Sequence, residues 1–118
     1  MLSVDAGGTV NFMEYTNSYD FNVTTTATLS AGSCYQIDAE RSAGTATIFI
    51  DATPAASAGA TMGALASLPV AVGVDYRNEQ AGYGGPDYSF FDGRIADVAV
   101  YDSGLSAAQI ASHYQAAG

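Results

Sequence analysis

An all-β sandwich closed by one short C-terminal helix is the fold this sequence predicts, on three observations. Short segments of alternating or β-branched character follow one another at sandwich spacing, separated by clusters of Gly, Ser, Pro and Asn. A capping box heading a helical apolar face stands near the end, at Ser106. The 118 residues, 48 % of them hydrophobic, suffice for one domain with a buried core, residues 1–118, and not comfortably for two.

In chain order the predicted strands are residues 2–5, 9–15, 21–26, 34–41, 45–51, 70–76 and 94–101. In the fourth, Tyr35, Ile37 and Ala39 share one face and Gln36, Asp38 and Glu40 the other, the period of a half-buried strand. Val70, Val72, Val74 and Tyr76 repeat that alternation. Ser42-Ala43-Gly44 suits a hairpin loop in which Gly44 takes positive φ. Residues 52–67, rich in Ala, read as a linker, and the apolar run from Ala55 to Ala71, mostly Ala, Gly and Ser and broken by Pro69, would not span a bilayer. The helix starts at Ser106, whose side chain and that of Gln109 cap each other's backbone, with Leu105 placed to staple against Ile110. Ile110 and Tyr114, four apart, share the face expected to pack on the sandwich, while His113 reads as a surface residue in the last turn.

Composition excludes several partners. Twelve acidic residues face only Arg41, Arg77 and Arg94, there is no lysine, and the formal net charge is −9. Phosphate backbones and anionic membrane surfaces would be repelled, so no nucleic acid and no membrane insertion are expected. The single cysteine, Cys34, rules out an internal disulfide and a cysteine-rich zinc site, and reads as a small buried apolar side chain. No secretory signal is visible, and Asn22-Val23-Thr24 fits a glycosylation acceptor of a kind that often arises by chance.

Three stretches carry a family resemblance. GSCYQIDAER, from Gly32, resembles a strand in which Trp usually stands at the position of Cys34. TATIFIDAT, from Thr45, resembles a strand ending in Leu-Tyr-Val-Asp-Gly, with Ala52 at the usual Gly. FDGRIADVAVYDSGLSAAQIASHY, from Phe91, resembles a final strand, a Leu-Ser pair and a closing helix. Together, in this order, they resemble the laminin-G-like, concanavalin A-like lectin/glucanase jelly rolls, from about Ala31 to the C-terminus. The resemblance implies an abbreviated jelly-roll sandwich, pared down or lacking the strands that the family places before this region. Such a sandwich leaves strand edges and an apolar face that need covering, by copies of itself or by a larger assembly.

Catalysis is not expected. Asp38 and Glu40 share a strand face, but the Glu-x-Asp-x-x-Glu run of jelly-roll glycosidases is absent and two acids at that spacing suit a solvated face. His113 has no recognisable nucleophile turn to serve. No cofactor is expected. Calcium is the ion the resemblance implies, and its candidate ligands are the oxygen donors Asp75, Asn78, Glu79 and Asp87, against the plain reading that an acidic chain has acids in its loops. The best binding candidate is the loop of residues 76–89. It gathers Tyr76, Tyr83 and Tyr88 with Arg77, Asn78, Gln80 and Asp87 on a glycine-rich backbone, suited to stacking on sugars or to a protein interface.

The expected function is that of a non-catalytic surface interaction and assembly module: a virion decoration or fibre-type subunit, or a multimeric adhesin. The alternative is a carbohydrate-binding module using the tyrosine loop. Protein partners, as a homo-oligomer or a larger assembly, are expected, with a glycan under the alternative. The expected setting is extracellular or a virion or particle surface.

Overall fold

A computed structural model describes residues 1–15, 19–61, 70–76 and 88–117. The chain divides into two compact units, Met1–Ala64 with Tyr101–Gly118, and Leu65–Val100.

The first unit is a sandwich of two three-stranded antiparallel sheets. One sheet holds β1 (Leu2–Val4), β2 (Thr9–Tyr15) and β3 (Tyr19–Thr28), and the other β4 (Ile37–Ser42), β5 (Thr45–Ile50) and β6 (Thr53–Gly59), each in chain order. Period-two alternation sets what faces inward. Val10, Phe21 and Val23 meet Ala46, Ile48 and Ala60 in the core cluster, which Val4, Phe12, Leu29, Ile37, Ile50, Ala56 and Ala58 border. Rings of Phe12 and Phe21 meet edge to face, 4.9 Å between centroids. Burying a side chain such as Ile48 or Val10 completely contributes about 1.5–3 kcal/mol. β3 lies alongside β6, and the Thr61 hydroxyl donates to the Asp20 carbonyl at 3.0 Å.

Among the described residues this core holds one buried polar side chain, Thr25, and its burial has a specific cause. The β2–β3 register shifts between Thr9 and Asn11, so the ladder is interrupted at Val10. There the Val10 N–H donates to Thr25 Oγ1 at 3.1 Å, and that hydroxyl donates onward to the Ala27 carbonyl at 2.8 Å. Thr25 is therefore buried at no loss of hydrogen bonding.

Turn chemistry fixes the registers. Between β1 and β2 the Asp5 carboxylate accepts the N–H groups of Gly7 and Thr9, each at 2.9 Å. Gly8 there has φ 84, and a Cβ on it would sit 2.3 Å from the Leu29 carbonyl oxygen, so only glycine fits. The β4–β5 hairpin turns on Ala43 and Gly44, both at positive φ (49 and 78), the pattern that matches the twist of paired strands. β5 and β6 are joined in the same way by Asp51 and Ala52, at φ 49 and 60.

The helix α1 (Ala107–Ala117) begins as the capping signature requires. Ser106 N–H donates to Gln109 Oε1 at 2.8 Å, and Gln109 N–H donates to Ser106 Oγ at 3.3 Å. Ile110 is 1 % exposed, yet it and the buried Phe49 stand outside the core cluster. Phe49, Glu40 and Ser42 project from the outer face of their sheet, and a Cβ on Gly104 would come within 2.9 Å of Ser42 Cβ, so the approach to the helix crosses that outer face.

Several expectations need correction. Residues 53–59 are not a linker but the strand β6, whose alanines pair with β5; small side chains suffice where neighbouring Ile48 and Phe21 fill the core. Strand pairing of the fourth segment begins at Ile37 rather than Cys34, because Tyr35 is engaged with Ser30 through its hydroxyl and Gln36 bonds to Asp51 instead. Cys34 consequently stands exposed, not buried. Tyr114 is 42 % exposed: one turn beyond Ile110, it does not pack as the helical spacing predicts. His113 is exposed, as expected, but its ring stacks on that of Tyr101, 5.8 Å between centroids.

In the second unit β7 (Val74–Tyr76) pairs antiparallel with β8 (Tyr88–Phe90). Of residues 70–76 only the last three are strand. Residues 94–101 form none: Asp97 adopts φ 53, which breaks the extended run, and no ladder partner faces it among the described residues.

Candidate functional site

The candidate loop is carried by the β7–β8 hairpin. Val74 pairs with Phe90, Asp75 with Ser89 and Tyr76 with Tyr88. Gly73, at φ 78, adds a rung at the base, its carbonyl accepting the Phe91 N–H at 2.9 Å. This stem sets the backbones of Tyr76 and Tyr88 directly opposite each other, so the two tyrosines that end the tyrosine loop are brought together as neighbours. Arg77, Asn78, Tyr83 and Asp87 lie outside the described residues, as does Glu79; of the calcium set, Asp75 alone has a described backbone, opposite Ser89. Among the described residues no three His, Cys, Asp or Glu side chains converge as a metal site would require.

Around this stem the apolar side chains are exposed. Val70, Val72, Phe90, Phe91, Ile95, Val98 and Val100 are all at the surface, with Phe90 at 74 % and Val100 at 77 % exposure, and no described residue of this unit is buried. A soluble surface carries single exposed apolar side chains without consequence, but seven in about thirty residues of chain is a concentration worth weighing as an interaction site. Sequence alternation marks these positions as strand, and in that sense the signal was present. It does not distinguish a strand already buried from one with nothing laid against it.

A second polar feature closes one end of the sandwich. Glu14 of β2 and Arg41 of β4 point inward from opposite sheets and form an ion pair, their side chains only 12 % and 15 % exposed. The Arg41 guanidinium also lies 5.8 Å from the centroid of the Phe21 ring, a cation–π contact. Glu14 Oε1 is buried with no hydrogen-bond partner among the described residues. Geometry and burial make this pair a structural clamp, and sequence reading missed it because a charged residue at an inward position breaks the alternation that identifies the core.

The acids considered for catalysis are placed on the outer face of β4. Asp38 accepts the Gln36 side-chain amide at 2.8 Å, and Glu40 lies beside Gly104. Asn22 and Thr24 of the glycosylation triplet are exposed on the outer face of β3, the Thr24 hydroxyl donating to Asn11 Oδ1 at 2.8 Å. No helix is long and apolar enough among the described residues to cross a membrane.

Comparison with curated proteins finds no match. Among solved structures the chain resembles a 2.1 Å crystal structure of an S-layer domain-containing protein (residues 221–444) from Clostridium thermocellum ATCC 27405. The TM-score is 0.63 and the identity 18 %, over 96 % of this chain and 54 % of that one. The chain thus spans about half the length of that structure, and the likeness is one of fold. The family model for the concanavalin A-like lectin/glucanases superfamily, Laminin_G_3, matches residues 1–111, so the relationship reaches the first strands as well as the three stretches that resemble the family by eye. With its two three-stranded antiparallel sheets and closing helix in place, the chain belongs to the concanavalin A-like lectin/glucanases superfamily, as a small laminin-G-like jelly-roll sandwich.

Proposed function

We propose that this chain is a non-catalytic surface interaction and assembly module, docking on a larger assembly in the manner of a virion decoration or fibre-type subunit or a multimeric adhesin. The observation that carries the reading is the exposure of the second unit's apolar side chains Val70, Val72, Phe90, Phe91, Ile95, Val98 and Val100. Water around such a patch is released on association, and that supplies the driving force. An acidic, lysine-free exterior keeps the unassembled chain soluble. An extracellular or particle-surface setting is in keeping with the S-layer protein whose fold this chain resembles.

Multi-angle light scattering with a hydrophobic dye tests this. The reading predicts dye binding by the isolated chain, or a defined oligomer that suppresses it. A monomer silent to the dye is the contrary result. Catalysis and a required metal form no part of the proposal; calcium added against a chelator control should leave the thermal midpoint unchanged.

A carbohydrate-binding role is the second reading, favoured by the opposed backbones of Tyr76 and Tyr88 at the neck of the tyrosine loop. Glycan-array binding lost in Tyr83→Ala and Tyr88→Ala would establish it. No binding by the unsubstituted chain would end it.

A further inference from the structure

Of the asparagines Asn11, Asn17, Asn22 and Asn78, Asn22 alone has Ser or Thr two positions on, with Val23 rather than proline between. In β3 the strand period turns Asn22 and Thr24 outward and Phe21, Val23 and Thr25 into the core, where Val23 is 2 % exposed. We propose that Asn22 is an acceptor for an N-linked oligosaccharide, transferred from a polyprenyl-diphosphate-linked donor while the chain is exported. This rests on the extracellular setting read above and names a covalent modification that belongs to it.

In the transfer Asn22 Nδ2 bonds to the anomeric carbon of the donor's first sugar while the bond from that carbon to the diphosphate oxygen breaks. The lipid diphosphate leaves with the bonding pair, and one amide proton passes to a base of the transferase. In the folded chain the tripeptide is not free to be gripped: Asn22 is paired with Met13 and Thr24 with Asn11, and the Thr24 hydroxyl donates to Asn11 Oδ1 at 2.8 Å. Transfer therefore precedes the pairing of β3 with β2. Placement then decides whether folding can follow. An oligosaccharide is bulky and hydrated, so on Phe21 or Val23 it would keep the core from closing. On Asn22, exposed beside the exposed Thr24 and Thr26, it stays in water and leaves both the ladder and the core intact. A triplet displaced by one residue along β3 would turn its asparagine inward.

The test is the intact mass of the full chain expressed behind a cleavable export leader in eukaryotic cells, read in the secreted and the retained fractions alike. The leader supplies the compartment, so the result bears on Asn22 and leaves the extracellular reading of the chain to its own test. The mass should rise by one oligosaccharide, which peptide N-glycosidase removes while converting Asn22 to aspartate. Asn22→Gln and Thr24→Val should lose the shift entirely, and Thr24→Ser should keep it. The glycosylated chain should melt cooperatively at the midpoint of Asn22→Gln made in the same cells. An unmodified mass in both fractions, a shift that survives in Asn22→Gln, or a glycosylated chain with no cooperative melt overturns the proposal. Mapping the enzyme-converted position on the unsubstituted chain decides the matter even where a variant fails to fold.

Discussion

Glu14 and Arg41 show how much one inward charge depends on another. Each sits at a core-facing position, and desolvating either alone is costly because water no longer compensates the charge. Glu14→Ala should therefore lower stability by about 3 kcal/mol in urea denaturation, more than the lost packing explains. Replacing both, as Glu14→Leu with Arg41→Met, should recover most of it. Ala52 makes the opposite case. It occupies a left-handed turn position, φ 60, where the family resemblance places glycine, and a side chain there is strained. Ala52→Gly should raise stability by about 1 kcal/mol, seen as a higher urea midpoint with an unchanged slope. Tyr35 offers a test by pH. Its hydroxyl oxygen accepts the Ser30 N–H at 3.1 Å, which favours the phenolate and holds its pKa below the ordinary tyrosine value. The unfolded chain keeps that proton to higher pH, so this group stabilises the fold above the unfolded value and the contribution is lost as pH falls through the folded one. Tyr35→Phe should flatten the alkaline limb of the stability profile by that increment.

Elements were legible in the sequence where local chemistry and tertiary demand agree. β2 and β5 coincide with their alternating stretches, and the helix begins at the serine whose capping partner stands three residues on. Ser106→Ala removes one of the two reciprocal bonds and should cost about 1 kcal/mol, with a matching loss of helical circular dichroism confined to thermal onset. β6 was hidden because alanine, glycine, serine and proline are poor advertisements for a strand; it exists because β5 offers a ladder, along which Ala56 and Ala58 border the core. Residues 94–101 went the other way. They carry strand composition, yet a strand is a relationship between two segments, and composition reports on one of them. For the tyrosine loop, sequence placed the residues and the structure adds the stem that opposes Tyr76 to Tyr88, a pairing that depends on the register set by Gly73 and Phe91.

At the scale of the whole molecule, a closed clamp and an open surface stand in contrast. In the first unit Glu14 and Arg41 tie the sheets together, Thr25 satisfies the interrupted ladder, and apolar side chains are buried. In the second unit no described side chain is buried and valines and phenylalanines face solvent. Stability should follow the same division, since local opening is least costly where few apolar contacts hold the backbone. Membership of the superfamily was legible from three short stretches; whether the exposed surface takes a partner was not, because affinity for a partner leaves no local pattern of its own. Residue-resolved amide exchange on the isolated chain at low concentration tests this division most directly. Slow exchange throughout β2, β3 and β5 with fast exchange across residues 94–100 is the predicted result, and protection of residues 94–100 equal to that of β5 would contradict it.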